Sequence, residues 1–264
     1  MKTPGKKKSA KKLGKTGSGK KTGLPPGSLI HIGQVKTEKT SFDLIKADAT
    51  SFEVMKDISL NQILNHLDPA KTSWIRVIGL QNASLIGEFG ELFKLHPLFL
   101  EDILNTGQRP KSIVEEDALF FTLKTLAVDK ENNIIADQVS FVMKEKLLIS
   151  FHESELSIFE PIFKRFEVPA GRLRSSGPDY LLYALTDLIV DHYFQVVENV
   201  ANALDQIEEK LITDMNEQIL DQIQHNRKEL IFMKKLVFPL REALGVILKA
   251  ESDLLNRKHL RYFN

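Results

Sequence analysis

Carboxylates are the side chains of this sequence best suited to do chemistry, and they occur in three groups. Glu101 and Asp102 are adjacent, Asp187 and Asp191 stand four apart in an otherwise apolar stretch, and residues 115–117 (Glu-Glu-Asp) fall where a turn is predicted. Residues four apart on a helix share one face, so Asp187 and Asp191 repel each other unless a cation or a donor compensates. Proteins hold Mg2+ with one or two carboxylates plus retained waters, so each pair is a candidate site for hydrated magnesium.

The same carboxylates also have a purely structural interpretation. Glu101 and Asp102 favour the start of a short helix through its dipole. Asp187 and Asp191 can instead bond to a neighbouring loop. The residue types and spacings leave both interpretations open.

Other kinds of site find no support in the residue usage. The chain has no cysteine, which excludes disulfides, thiolate metal sites and cysteine nucleophiles. Zinc-type sites need clustered imidazole or thiolate ligands, whereas the seven histidines are scattered: His31, His66, His96, His152, His192, His225 and His259. There is no Gly-x-Ser-x-Gly elbow, and the P-loop-like run from Gly14 to Lys20 lacks the Ser or Thr that should follow its lysine. We therefore expect no enzyme activity.

Charge is distributed unevenly along the 264 residues. Residues 1–22 contain nine lysines and no acid, which leaves 27 basic against 35 acidic residues in the remainder, a net charge near −8. The tail has too few apolar side chains to offset its ordering entropy, so we expect it to be disordered and solvated. The alternative is that its lysines contact anionic lipid or nucleic acid. The acidic remainder attracts cations and is not expected to bind nucleic acid.

No segment has the roughly 18 uncharged apolar residues that a membrane span requires. The most apolar long stretch, residues 181–200, carries Asp187, Asp191 and His192. It is therefore typical of a helix with one buried face. On its own, the chain is expected to be soluble and cytoplasmic.

The elements that must position these carboxylates alternate between strand and helix over residues 23–168. Apolar alternation predicts strands at 29–32, 42–46, 52–55, 74–80, 118–128, 134–144 and 147–152. Helical spacing predicts helices at 59–67, 86–93 and 98–105, the last starting after Pro97. The fold class is therefore α/β, a mixed β-sheet flanked by helices.

From Pro178 onward the pattern is wholly helical and predicts a long antiparallel helical hairpin within residues 169–264, connected near Asp214. The second helix has a heptad seam: Ile219, Ile223, Asn226, Leu230, Met233, Val237, Leu240, Leu244 and Ile247. Asn226 is predicted to fix the register of this seam, and Pro239 to kink the helix. Residues 251–264 begin another helical pattern, and the chain is expected to be the truncated start of a longer protein.

Residues 95–111 (LHPLFLEDILNTGQRPK) resemble the signature of the CorA family, a His-Pro-Leu turn followed by Leu-Glu-Asp-Ile and Gln-Arg-Pro-Lys. Further segments resemble the same family in the same order: Gly23–Gly27, Asp137–Phe141, Asp179–Phe194 and the run from Phe238 to Arg241. The resemblance extends over nearly all of residues 23–264 and leaves the lysine-rich tail uncovered.

The resemblance implies a homopentamer whose cytosolic domains form a funnel, with a stalk helix and two membrane helices that lie beyond Asn264. It implies regulatory Mg2+, and also Co2+, bound between subunits to hold the closed state. Asp102 then corresponds to the principal ligand, with Glu101 and Asp187 as secondary ones. Asp191 joins the candidate metal ligands because it stands four residues from Asp187. The full-length protein would lie in the cell inner membrane, with this part cytoplasmic and the membrane its partner beside divalent cations.

Two other functions stay open from the sequence. A zinc transporter of the same superfamily would share the architecture, although oxygen ligands favour magnesium. A soluble scaffold could instead use the helical hairpin to dock a partner helix. A reading frame that continues past Asn264 into two hydrophobic segments would separate the transporters from the scaffold.

Overall fold

The computed structural model describes residues 23, 25–213 and 216–263; the predicted disordered tail and the connection near Asp214 lie outside these residues. Its core is one seven-stranded sheet in the order β2-β1-β3-β7-β6-β5-β4. The strands are β1 (Ser41–Ala47), β2 (Phe52–Met55), β3 (Thr72–Ile78), β4 (Lys111–Val114), β5 (Leu119–Val128), β6 (Ile134–Lys144) and β7 (Leu147–His152).

Eight helices accompany the sheet in the described residues. They are α1 (Leu60–His66), α2 (Ala83–Leu92), α3 (Pro97–Leu104), α4 (Glu160–Glu167), α5 (Arg172–Ser175), α6 (Pro178–Thr213), α7 (Glu217–Lys249) and α8 (Arg257–Leu260). None of these helices combines the length and apolar character that crossing a membrane requires.

The sheet is mixed, as predicted. Strands β3 and β7 pair in parallel, with Trp74 opposite Leu148, and the other neighbouring pairs are antiparallel. β6 and β7 form the predicted hairpin, in which Lys144 pairs with Leu147. Antiparallel pairs need only short turns, whereas the parallel pair β3–β7 is separated by the intervening helices and strands.

Side chains that alternate along the strands bury both faces of the sheet. One face carries Trp74, Phe121 and Phe141 and packs against α4, α6 and α7. The opposite face carries Ile75, Phe120 and Phe151 and packs against α1, α2 and α3. Because both faces are covered by helices, the long strands are apolar on both sides rather than strictly alternating.

Helices α6 and α7 form the predicted antiparallel hairpin, with Asn216 capping α7 through a bond from the Ile219 amide of 3.1 Å. The predicted seam is wrong at two of its nine positions. The series 219, 226, 233, 240 and 247 is buried, and Ile223 and Leu244 are half-buried. Leu230 and Val237 are exposed, whereas Leu236 and Ala243, outside the predicted seam, are buried. Asn226 donates to the Gln222 carbonyl of its own helix (3.0 Å), so this bond does not fix the register.

Three local predictions need correction. Residues 29–32 are not a strand, and only Ile32 forms an isolated parallel bridge, with Asn105. Strand β4 was not predicted, because four half-buried residues at a sheet edge give little periodic signal. Residues 251–263 contain only the short α8 and one 3-10 turn (Arg261–Phe263). The fold class is nevertheless the predicted one: a mixed sheet flanked by helices, followed by a long helical hairpin.

Candidate functional site

Helix α3 carries the first candidate pair, Glu101 and Asp102. The ring nitrogen Nδ1 of His96 accepts a hydrogen bond from the Leu98 amide (3.2 Å), and Pro97 occupies the first helical turn, where its missing N–H costs nothing. The helix buries Phe99, Leu100, Ile103 and Leu104 against the sheet. Its last turn therefore presents the two carboxylates at the boundary between core and solvent.

Asp102 forms an ion pair with Lys111, the first residue of β4. Its Oδ2 lies 2.8 Å from Lys111 Nζ. The Asp102 side chain is 15% exposed and the Lys111 side chain 42%. The acid is thus held close to the protein surface by the helix, whereas the ammonium group approaches it from the solvent side.

Glu101 has a different partner. Its Oε2 accepts a hydrogen bond of 2.6 Å from the backbone amide of Gly27, 74 residues earlier in the chain. Gly27 has a φ of +82°, which favours glycine, and a Cβ at this position would lie 3.2 Å from Cβ of Pro97. Glu101 therefore anchors the segment that precedes the first strand to helix α3.

A buried polar group on the sheet holds the C-terminal end of α3. Gln138 of β6 donates from Nε2 to the carbonyl oxygens of Asp102 (3.2 Å) and Ile103 (3.0 Å). Lys124 lies opposite Gln138 on β5, and its Nζ donates to the carbonyl oxygen of Thr106. Burial lowers the pKa of Lys124 to about 8, although the nearby carboxylate of Glu153 acts in the opposite direction.

The second candidate pair lies on α6. Asp187 and Asp191 are both exposed. Partial burial raises the pKa of Asp187, and the charge of Asp191 raises it further; the hydrogen bond from Tyr183 and the charge of Arg165 oppose these two effects. The two aspartates therefore interact, as their spacing predicted.

The two pairs are not brought together within one chain. Helix α3 packs on one face of the sheet and helix α6 on the other. Asp102 and Asp187 are thus attached to opposite sides of the same layer. In the described part of the chain, no group of three or more His, Asp or Glu side chains is arranged to hold a metal ion.

The acidic run at 115–117 lies in the turn between β4 and β5, as predicted. There Oδ2 of the exposed Asp117 lies 3.6 Å from Nζ of the half-buried Lys144. No sequence pattern indicates that Lys111, Gln138 and Lys124 are neighbours of α3. Lys111 stands in the motif that was singled out, but its nine-residue distance from Asp102 matches no helical or strand spacing.

Solved structures share this fold. The soluble domain of CorA from Methanocaldococcus jannaschii matches with a TM-score of 0.65 and 16% identity, over 83% of this chain and 84% of that one. The cytoplasmic domain of ZntB from Vibrio parahaemolyticus matches with a TM-score of 0.63 and 15% identity, over 84% and 86%. At these identities the likeness establishes the class of fold alone, that of the soluble domain of CorA.

Sequence comparisons identify the family to which the chain belongs. Residues 69–264 match the family model of the CorA-like Mg2+ transporter protein. A Cobalt/magnesium transport protein CorA from Thermotoga maritima is 30% identical over 244 residues, which cover 92% of this chain and 69% of the relative. A protein of the same name from Methanocaldococcus jannaschii is 26% identical over 56% of this chain and 44% of its own length. The chain belongs to the CorA-like Mg2+ transporter family.

Proposed function

We propose that this chain is the cation-sensing cytoplasmic part of a magnesium and cobalt transport protein, and that Mg2+ bound between neighbouring copies regulates transport. Asp102 is the principal ligand, and Glu101, Asp187 and Asp191 contribute further oxygens. The relatives are named as transporters of cobalt and magnesium. The role is regulatory, not enzymatic, and the assembled protein is a homopentamer anchored in the inner membrane.

The observation that carries this proposal is the placement of the two acidic pairs. Asp102 on α3 and Asp187 on α6 lie on opposite faces of the sheet. A magnesium site that uses both must therefore draw them from two copies. Carboxylates that face each other between two copies repel when the site is empty, and a bound ion bridges them. The ion therefore favours the assembled, closed arrangement to the extent that it binds that arrangement more tightly.

The chemistry of the donors favours magnesium over softer ions. The candidate ligands are carboxylates, which are hard oxygen donors, and Mg2+ keeps several of its waters when bound to one or two of them. Zinc is the second candidate ion, because a related zinc transporter would share this architecture. Zinc sites in proteins use His or Cys together with carboxylates, and none of the four proposed ligands is a His or a Cys.

A thermal melt against MgCl2, with NaCl matched for ionic strength, tests the proposal. A ligand that binds only the folded chain raises the melting midpoint. At ten times the dissociation constant the gain is about 1.4 kcal/mol, roughly 3–5 °C for a chain of this size. We expect this shift in the wild type, its loss in the Asp102→Asn, Asp187→Asn double variant, and a weaker shift with ZnCl2.

Asp57→Asn is the matched control, because Asp57 also pairs with a surface lysine, Lys39, at 2.6 Å. This control should respond to magnesium as the wild type does. Sedimentation of the same samples should show a larger average mass with magnesium, since the ion is shared between copies. Equal magnesium responses of the wild type and the double variant would refute the assignment of these carboxylates.

A further inference from the structure

The ammonium group of Lys111 contacts the carboxylate of Asp102, the principal ligand in the proposed function. Nζ lies 2.8 Å from Oδ2 of Asp102. Among the residues that the structure describes, Lys111 is the one cation within ion-pair distance of this carboxylate. A divalent ion that binds the same oxygen must either share it with a positive charge at close range or displace the lysine.

We propose that Lys111 is a built-in competitor for the cation site, displaced from Asp102 when Mg2+ binds, and that it sets the magnesium concentration at which the site fills. This inference rests on the proposed function, because it assigns a role to the lysine at the same site. It makes Lys111 an affinity-determining residue rather than a ligand.

The geometry allows the lysine to leave while the acid stays. Asp102 lies on a helix whose C-terminal carbonyls are fixed by Gln138, and its side chain is mostly buried. Lys111 begins the edge strand β4, and its flexible four-carbon stem ends in a side chain that is 42% exposed. Moving that ammonium group into water costs little, since it is already half solvated.

The exchange also explains why a lysine is suitable here. A partly buried carboxylate without a partner is costly, so Lys111 compensates Asp102 while the site is empty. A partly exposed lysine–carboxylate pair is a weak interaction, worth at most about 1 kcal/mol. A divalent ion carries twice the charge of the ammonium and can therefore replace it, whereas Na+ or K+ carries no more charge than the lysine that it would have to displace.

The test compares magnesium dissociation constants, taken from the dependence of each variant's melting midpoint on MgCl2 concentration. Each variant is referred to its own metal-free midpoint, so a change in stability does not affect the result. Lys111→Gln removes the competing charge and should tighten magnesium binding about two- to fivefold, the range implied by the strength of exposed ion pairs. Lys111→Arg keeps the charge and should bind magnesium no more tightly than the wild type.

Lys39→Gln is the matched control, because it removes one positive charge from another surface pair, Lys39–Asp57. It should leave the dissociation constant unchanged. Asp102→Asn should abolish the magnesium response. If Asp102→Asn abolishes the response but Lys111→Gln binds magnesium as the wild type does, the competitor role is refuted and the proposed function stands. If Asp102→Asn responds fully, the site assignment fails and the competitor role fails with it.

A second measurement follows the lysine itself. Reductive methylation should modify Lys111 faster in saturating magnesium than without it, because the amine is released from Asp102, while Lys39 is modified at an unchanged rate. A lysine that only supports the fold would show no such acceleration. An equal rate for Lys111 with and without magnesium, under conditions where the melt shows the ion bound, would overturn the proposal.

Discussion

The side-chain amide of Gln138 joins strand β6 to helix α3: its Nε2 lies 3.0 Å from the carbonyl oxygen of Ile103. The last carbonyls of a helix have no partner within the helix. Here Gln138 donates hydrogen bonds to two of these carbonyls, and the backbone amide of Ile32 donates to the carbonyl oxygen of Leu104 at 2.9 Å. The end of the helix that carries Asp102 is therefore fixed to the sheet.

Gln138→Ala should lower the free energy of unfolding by about 2–4 kcal/mol. Gln138 is fully buried, so the substitution leaves buried carbonyls unsatisfied and opens a small cavity. Urea unfolding monitored by circular dichroism measures the effect. Gln218→Ala, at an exposed position of α7, is the control and should change stability by less than about 0.5 kcal/mol. A loss below 1 kcal/mol for Gln138→Ala would show that water replaces the amide.

The strands with strong apolar patterns could be predicted from the sequence. β5, β6 and β7 are long, rich in Val, Ile, Leu and Phe, and separated by short polar turns, so local preference and burial favour the same structure. The turn at Pro97 likewise fixed the position of α3 to within one residue.

The exposure of Leu230 and Val237 in the predicted α7 seam could not be predicted from the apolar pattern. A heptad seam presumes one partner helix, but the C-terminal half of α7 also packs on β4, where Ser112 Oγ donates to the carbonyl oxygen of Ala243 at 2.7 Å. Contact with a strand on one side moves the buried stripe by one position, from Val237 to Leu236. Only the tertiary arrangement determines that shift.

The neighbours of Asp102 also could not be predicted from the sequence. Gln138 and Lys124 are polar residues inside strands, a pattern that is typical of a solvent-facing position. They are buried because the end of α3 lies above them with carbonyl groups to satisfy. The pairing of Asp102 with Lys111 depends on the same packing, and no local spacing indicates it.

Lys124 makes stability depend on pH above neutrality. Its pKa, about 8 in the folded chain, is below the usual 10.5. Between these values the unfolded chain holds more protons, so the free energy of unfolding rises with pH. The expected rise is about 1 kcal/mol from pH 8 to pH 9 relative to Lys124→Met, measured by urea unfolding at each pH. Lys39→Met, at an exposed position, should keep the wild-type profile. Parallel profiles for the wild type and Lys124→Met would contradict the lowered pKa.

Two helical glycines should respond to alanine with opposite signs. A Cβ at Gly245 in α7 meets nothing within 4 Å, so Gly245→Ala should raise the free energy of unfolding by about 0.5–1 kcal/mol through helix propensity. A Cβ at Gly90 in α2 would lie 2.2 Å from Cδ1 of the buried Leu100. Gly90→Ala should therefore lower stability by about 1–3 kcal/mol. Urea unfolding of both variants compares them, and a gain for Gly90→Ala would show that α2 and α3 are not packed as described.

The titration of Asp187 tests whether the α6 pair acts as a unit. Partial burial raises the pKa of Asp187 first, and repulsion from Asp191 raises it further. Asp191→Asn removes the repulsion, so the pKa of Asp187 should fall towards its ordinary value while staying raised by burial. Carbon-detected NMR of the carboxyl group follows the titration directly. Asp205→Asn, further along the same helix, should leave it unchanged.

The same titration in the presence of MgCl2 tests whether Asp187 and Asp191 bind the ion. If the pair supplies oxygens to the ion, saturating MgCl2 favours the ionised acid and lowers the pKa of Asp187 in the wild type. The decrease should be smaller in Asp191→Asn, which offers one carboxylate in place of two. A titration that magnesium leaves unmoved would remove Asp187 and Asp191 from the site. Glu101 and Asp102 would then be the remaining candidate ligands, and the placement of the two pairs on opposite faces would no longer argue for a site between copies.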